Sequence, residues 1–365
     1  MHLAITRRAP LDTPDGINIS IFALGDALVA AGHRVSYVCA TESDPDELRR
    51  LYGINFDPEV VALSRNRGWD GNYRRLITPW IRHGRQAIAR LKPDYTIING
   101  ALPFPLPGGS CVVSHDLERR MASLGATRRL YKRITYGFAS DIVATCTEIR
   151  DLLAEELKRP PSRIRVIPTC FDLSGYAGRP LAEREPTILH MGTVDYKNPR
   201  ATLAAFAALE TPARLVVTGK VDDELRATID ALPDGVRERI ALPGFVDAAE
   251  LRDLLGRVRV VSVPSVYSVP VASPSVIEPF ASATPVVAGD SISRDVLEDG
   301  VNGAVVRGAE PMGIARRLDE LLTDDTLWSR LSTAALERSR TFGAEAVARR
   351  YVDLAVAGRT RHDRG

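Results

Sequence analysis

The sequence predicts an α/β fold: two Rossmann-like lobes, each a parallel sheet covered by helices, facing across a cleft. Three observations carry this. Short apolar runs rich in Val and Ile alternate with longer amphipathic stretches almost from end to end. Strands buried on both faces and connected by helical crossovers give that alternation. The pattern pauses at residues 169–186 (TCFDLSGYAGRPLAEREP), rich in Gly, Pro and charge, and then resumes. The length of 365 residues exceeds one ordinary core and suits two.

In the first half the candidate strands are residues 3–5, 35–39, 95–98, 111–114, 142–145 and 165–167. Amphipathic helices are expected between them at 18–31, 74–91 and 148–157. The aperiodic stretch reads as a linker. After it, TILHMG, LVVTGK, RIALPGFV, VRVVSVPS and TPVVAGD each supply a strand followed by a helical pattern. The last elements, 312–322, 326–340 and 344–356, are helical, and the charged tail GRTRHDRG is expected to fray. The expected boundaries are therefore a first lobe at 1–170, a linker at 171–186 and a second lobe at 187–342. The helix and tail at 343–365 are expected to return to the first lobe. No internal repeat is visible.

Charge and cysteine usage exclude several classes. Forty-eight Lys and Arg stand against 46 Asp and Glu, a formal charge of +2, so no global field recruits nucleic acid. The four cysteines are widely spaced, without the spacing of a zinc site or a disulfide framework. The opening MHLAITRRAPLD lacks the apolar run of a signal peptide, and no stretch approaches the roughly 18 apolar residues of a spanning helix. A cytoplasmic protein is expected.

Five places hold residues suited to chemistry. Asp15-Gly16 precede a helix, where a glycine admits a ligand close to the backbone and the helix start offers amides to an anion; a bare turn glycine is the plain alternative. His115 and Asp116 end a buried strand, the side on which open α/β sheets bind ligands, with Asp116 also placed to cap the next helix. In HMGTVDYKNP, Gly192 follows a strand and Lys197 precedes a helix starting near Pro199, a placement suited to a diphosphate. In VPSVYSVPVASPSVIEPF, Ser273 reads as an N-cap and Pro274 as the first helical residue, leaving amides at Ser275 and Val276 for an anion. Glu278, one turn on, is placed to reach a ribose diol, and Pro279 should kink the helix. Arg128, Arg129, Lys132 and Arg133, with Arg65, Arg67, Arg74, Arg75, Arg82 and Arg85, make the first lobe basic: a solvated face, or peripheral contact with an anionic membrane or acceptor.

The ordered set of segments resembles the retaining family 4 glycosyltransferases of the GT-B fold, including the group 1 glycosyl transferase domain, over essentially the whole chain. The segments are PDGIN, LGDALVAAGHRVSYV, SHDL, DIVATCTEIRDLL and RVIPTCFD, then HMGTVDYKNP, VTGK, LPGFVDAAELRDLL, PSVIEPFASATPVVAGD and VLEDGVNGAVV. The resemblance implies a nucleotide-diphosphate sugar, UDP- or GDP-linked, held mainly by the second lobe, and a hydroxyl acceptor held by the first. It implies hexosyl or N-acetylhexosaminyl transfer with retained configuration, no bound metal and no resident cofactor. Carried over by position, Gly16, Gly192, Thr193, Lys197, Lys220, Ser273, Ser275, Val276 and Glu278 bind the donor. Asp15, Asn18 and Asp116 bind the acceptor, and His115, Lys197 and Glu278 are catalytic. Two positions depart from the family pattern. Of its paired glutamates eight positions apart, only Glu278 is present; counting along the loop meets Pro270 or Ser268 in place of the other. Thr193 stands where the family often has Arg, leaving the diphosphate to Lys197, helix amides or Lys220. The competing readings are a non-catalytic nucleotide-sugar-binding protein and a nucleotide-sugar epimerase of similar fold.

Overall fold

The computed structural model describes residues 1–13, 15–66, 73–100, 102, 104–106, 108–115, 126–267 and 272–362. The chain forms two compact units: Met1–Asp172 together with Phe342–Gly365, and Leu173–Thr341.

The first unit is built on seven parallel strands: β1 (His2–Arg7), β2 (Arg34–Cys39), β3 (Glu59–Ala62), β4 (Tyr95–Asn99), β5 (Gly109–Ser114), β6 (Asp141–Ala144) and β7 (Ile164–Val166). Their order is β3-β2-β1-β4-β5-β6-β7, the doubly wound arrangement. Leu3, Ile5, Phe22, Leu28, Tyr37, Tyr95 and Ile97 pack one face of this sheet against the helix Gly16–Ala30. The terminal helix Ala344–His362 closes the same core with Val347, Tyr351 and Leu354. The Phe171 amide ties to the Phe342 carbonyl at 3.0 Å, and Arg350 reaches the Val166 carbonyl at 2.6 Å. β3 was not visible in the sequence, because EVVA is short and half-exposed.

The helix expected at 74–91 is broken into three pieces: Tyr73–Pro79, a wide π turn Trp80–Gly84, and Arg85–Leu91. Pro79 brings no amide to the ladder, which favours a break there. The wide turn lets Trp80 bury completely against Phe104. Gly84 lies beneath both rings, so closely that a Cβ there would meet them at 2.6–2.7 Å.

The second unit carries six parallel strands: β8 (Glu185–Met191), β9 (Arg214–Thr218), β10 (Ile240–Gly244), β11 (Val258–Val263), β12 (Val286–Gly289) and β13 (Ala304–Val306). Their order, β10-β9-β8-β11-β12-β13, repeats the winding of the first sheet. Most of the stretch read as a linker belongs to this unit. Arg184 pins it: 7% exposed, it donates to the carbonyls of Arg179, Leu255, Val258, Ser282 and Ala283 and to the Thr284 hydroxyl. Its guanidinium also lies 4.9 Å from the Trp328 ring centre. No helix among the described residues is long and apolar enough to cross a membrane.

Candidate functional site

In the second unit the polar groups collect where the parallel strands end. Three neighbouring strands terminate in glycines held at positive φ: Gly192 after β8 (83°), Gly219 after β9 (110°) and Gly244 closing β10 (80°). The Gly192 amide bonds the Thr218 carbonyl at 3.0 Å, and the Gly219 amide bonds the Gly244 carbonyl at 2.7 Å. A Cβ on Gly219 would stand 3.3 Å from the Gly192 Cα and the Thr193 nitrogen. Left-handed backbone without side chains therefore forms a bare floor of peptide edges. Thr193 donates its hydroxyl to the carbonyl of exposed Lys220, which fixes this turn without adding charge. Phe245, 91% exposed, follows the last glycine.

Beside this floor stands the strongest polar cluster of the unit. Lys197 lies in the turn Asp195–Lys197, after which Asn198 caps the helix Pro199–Ala207. Its ammonium donates to the Ser275 hydroxyl and interacts with the Glu278 carboxylate. Burial pulls the Lys197 pKa down, opposed by Glu278; burial pushes Glu278 up, opposed by Tyr176, Lys197 and Arg252. Burial thus pushes both groups toward their neutral forms, and each charge opposes that shift in the other. Tyr176 donates to Glu278, and the Arg252 guanidinium lies 5.4 Å from the Tyr176 ring centre. Tyr176 comes from the stretch read as linker, where aperiodicity hid it.

The helix Pro274–Ala281 starts where expected, with Ser273 as N-cap, Pro274 first and Pro279 inside. Two details differ. The Ser273 hydroxyl makes no capping bond; it pairs with Tyr267 Oη at 3.2 Å. The Val276 amide is not free for an anion, because it bonds the Ser273 carbonyl at 3.0 Å in a tight first turn. The Ser275 amide alone of the two has no partner among the described residues. Ser268 and Pro270 lie outside the described residues.

In the first unit a second cluster sits at the ends of β1, β4 and β5. Arg7, the last residue of β1, pairs with Asp15 and donates Nε to Asn18 Oδ1 at 2.9 Å. Asp15 caps the helix Gly16–Ala30 by accepting the Asn18 amide at 2.7 Å. Asn18, fully buried, also donates Nδ2 to the Pro10 and Thr13 carbonyls at 2.7 and 2.8 Å. Both ends of its amide are thereby occupied, and Asn18 shapes the loop rather than offering a group to an acceptor. Gly16 has an ordinary φ, and a Cβ there would meet nothing within 4 Å. Nothing in the fold demands its glycine, and open space lies beside the helix start.

His115, just past β5, pairs Nε2 with Asn99 Oδ1 at 2.7 Å. With that oxygen facing it, Nε2 carries the proton and Nδ1 the lone pair. Burial, then nearby Arg7, lowers its pKa to about 4, so the ring is neutral near pH 7. The hydroxyls of Thr6 and Thr41 and the Asn99 amide nitrogen are buried at the same strand ends without partners among the described residues. Asn99 was missed in the sequence because it reads as the plain end of TIING. Asp116 lies outside the described residues, as do Arg67 and the Arg74 and Arg128 side chains.

The N-terminal stretch, residues 14–174, matches the family described as Glycosyltransferase Family 4, and residues 185–324 match Glycosyl transferases group 1. The chain belongs to the family 4 glycosyltransferases. A D-inositol 3-phosphate glycosyltransferase of Xylanimonas cellulosilytica is 32% identical over 241 residues, 59% of this chain and 57% of that protein. A second, from Streptomyces griseus, is 31% identical over 142 residues, 37% of this chain and 30% of that protein. The alignments thus span less than two thirds of these curated relatives. Among solved structures, Anabaena HepE in complex with UDP and glucose superposes with a TM-score of 0.73 at 16% identity, covering 98% of this chain and 100% of that one. A Rickettsia africae glycosyltransferase gives 0.76 at 15% identity, covering 97% of each chain. The fold of this family 4 member is GT-B, as its two sheets show.

Proposed function

We propose that this chain transfers a sugar from a nucleotide-diphosphate donor to a hydroxyl acceptor, with retained anomeric configuration and without a bound metal. The observation that carries the reading is the Lys197–Ser275–Glu278 cluster beside a glycine floor at strand ends. An ammonium, a hydroxyl and a free amide on one side suit a diphosphate, and a carboxylate one helical turn on suits a ribose diol. The complex of HepE with UDP and glucose supports a UDP-sugar donor, and the glycosyltransferase activity named for the inositol phosphate relatives supports sugar transfer.

The bond from the anomeric carbon to the diphosphate breaks as the bond to the acceptor oxygen forms. The acceptor proton passes to the departing phosphate oxygen. Charge therefore grows on the diphosphate, and Lys197 with the Ser275 amide is fixed in place to receive it. In the first unit, Gly16 leaves room for phosphate at a helix start, and neutral His115 is able to accept, at Nδ1, a hydrogen bond from the reacting hydroxyl. Exposed Lys220 stands as a further cation for the diphosphate.

A binding protein without catalysis is the second reading, favoured by Ser268 and Pro270 in place of the family's other glutamate. Incubation with UDP-glucose, UDP-N-acetylglucosamine and GDP-mannose, with and without hydroxyl acceptors and with EDTA present, separates the two. Nucleotide release that needs acceptor, with an α-linked product from an α-linked donor, is expected. Binding without release supports the second reading. An inverted product contradicts retention, and loss of turnover in EDTA contradicts metal independence.

A further inference from the structure

β3 is an edge strand of the first sheet, and the broken helix 73–91 runs beside it. Between them lie two cavities of about 360 and 430 Å³ that share Leu63 and His83 and so form one groove. Arg75 and Arg82 line the first cavity with Ser64 and Asn66; Gln86 and Arg90 line the second. No described lining residue is acidic. Arg82 and Arg90 are exposed and have no ion-pair partner among the described residues. In a chain whose formal charge is only +2, this is a local concentration.

The π turn builds it. Pulling Trp80 into the core over Gly84 turns Arg82 and His83 toward the groove. From Arg75 to Arg90 the helical rise gives a wall of roughly 20 Å. One end of the groove, Ser64–Asn66, follows β3 at the carboxyl end of the sheet, where Arg7 and His115 also stand. It is tied there to the loop after β2, through Ser64 Oγ to the Ala40 carbonyl at 2.7 Å and the Glu42 amide to the Asn66 carbonyl at 2.8 Å. With β2, β1 and β4 between β3 and β5, about 19 Å separates this mouth from His115 at the end of β5.

We propose that the groove holds the stem of an anionic oligosaccharide acceptor, bearing carboxylate, phosphate or sulfate groups, whose reacting hydroxyl lies at His115. This rests on the transferase reading and adds the acceptor class. A concave, elongated wall of guanidiniums with interspersed hydroxyl and amide groups fits a hydroxyl-rich polyanion; a flat bilayer cannot enter it. Guanidiniums pair with planar anionic groups in forked geometry, while Asn66 and Gln86 serve sugar hydroxyls.

The test is binding of a galacturonate hexamer, a sulfated hexamer and a neutral glucose hexamer to the full chain, without donor, and to the variant Arg82→Glu/Arg90→Glu. At least one anionic hexamer should bind more tightly than the neutral one, with affinity falling as salt rises. The double reversal should weaken it roughly tenfold or more while leaving the thermal midpoint and UDP affinity unchanged. Equal binding of charged and neutral hexamers, or an unaffected double variant, overturns the proposal. So does inorganic phosphate that competes as well as the hexamer, which marks a lone ion site. Binding to phosphatidylglycerol vesicles that is lost in the variant, with no hexamer binding, assigns the cations to a membrane instead. Because no donor is present, the groove can fail while UDP-sugar turnover stands, and turnover can fail while the groove stands.

Discussion

His115 and His190 show what burial does to a single side chain. Both have pKa values lowered to about 4, with burial the largest cause. His190 Nδ1 is bonded to Thr202 Oγ1 at 2.9 Å inside the second sheet. A buried neutral histidine binds no proton between its folded value and the ordinary 6.5, whereas the unfolded chain does. The stability it contributes is therefore complete above about pH 6.5 and lost as pH falls toward 4, by up to ~1.4 kcal/mol per pH unit for each ring. Thermal melts from pH 7 to pH 4.5 should show this slope, and His190→Asn should flatten it; an unchanged slope places the titration elsewhere. His115→Ala should lower turnover by about 10²-fold while donor affinity holds, as for a positioned polar group. A variant that melts early yet turns over normally per folded molecule makes His115 structural. His115, Lys197 and Glu278 were legible because polar side chains stand out at the ends of apolar runs. The occupied Val276 amide and the tied Asn18 side chain were not, since backbone closure and loop packing leave no mark on composition.

The elements teach a similar lesson about range. Long periodic helices and Val-rich central strands were readable; β3 and β13, four and three residues long, were too short for their alternation to show. Pro79 and Gly84 were visible within the stretch 74–91, but only the packing of Trp80 on Phe104 makes the break a wide turn. The glycine floor was quoted in three separate motifs, and only strand order brings Gly192, Gly219 and Gly244 side by side. Gly219→Ala tests that floor. At φ 110°, with a Cβ 3.3 Å from the neighbouring backbone, alanine should cost ~1–3 kcal/mol of stability and weaken UDP binding. Full retention of both removes the floor from the account.

On the scale of the whole molecule, the chain is two windings of one topology, and its last helix belongs to the first. Val347, Ala348, Tyr351, Leu354 and Ala355 are core residues of the first unit, so that unit is incomplete at Asp172. Ending the chain at Thr341 should expose this apolar face and leave the first unit insoluble or molten, read by circular dichroism and dye binding. Residues 173–341 alone should fold and still bind UDP. A truncated chain that melts like the full one contradicts the shared core.

The central claim is that Lys197 and its partners hold a donor diphosphate. Calorimetric titration of UDP and of uridine into the full chain and into Lys197→Ala addresses it directly. The account predicts that the variant loses ~1–3 kcal/mol of UDP binding and almost none of uridine binding. Equal losses for the two ligands, or none for UDP, would contradict it.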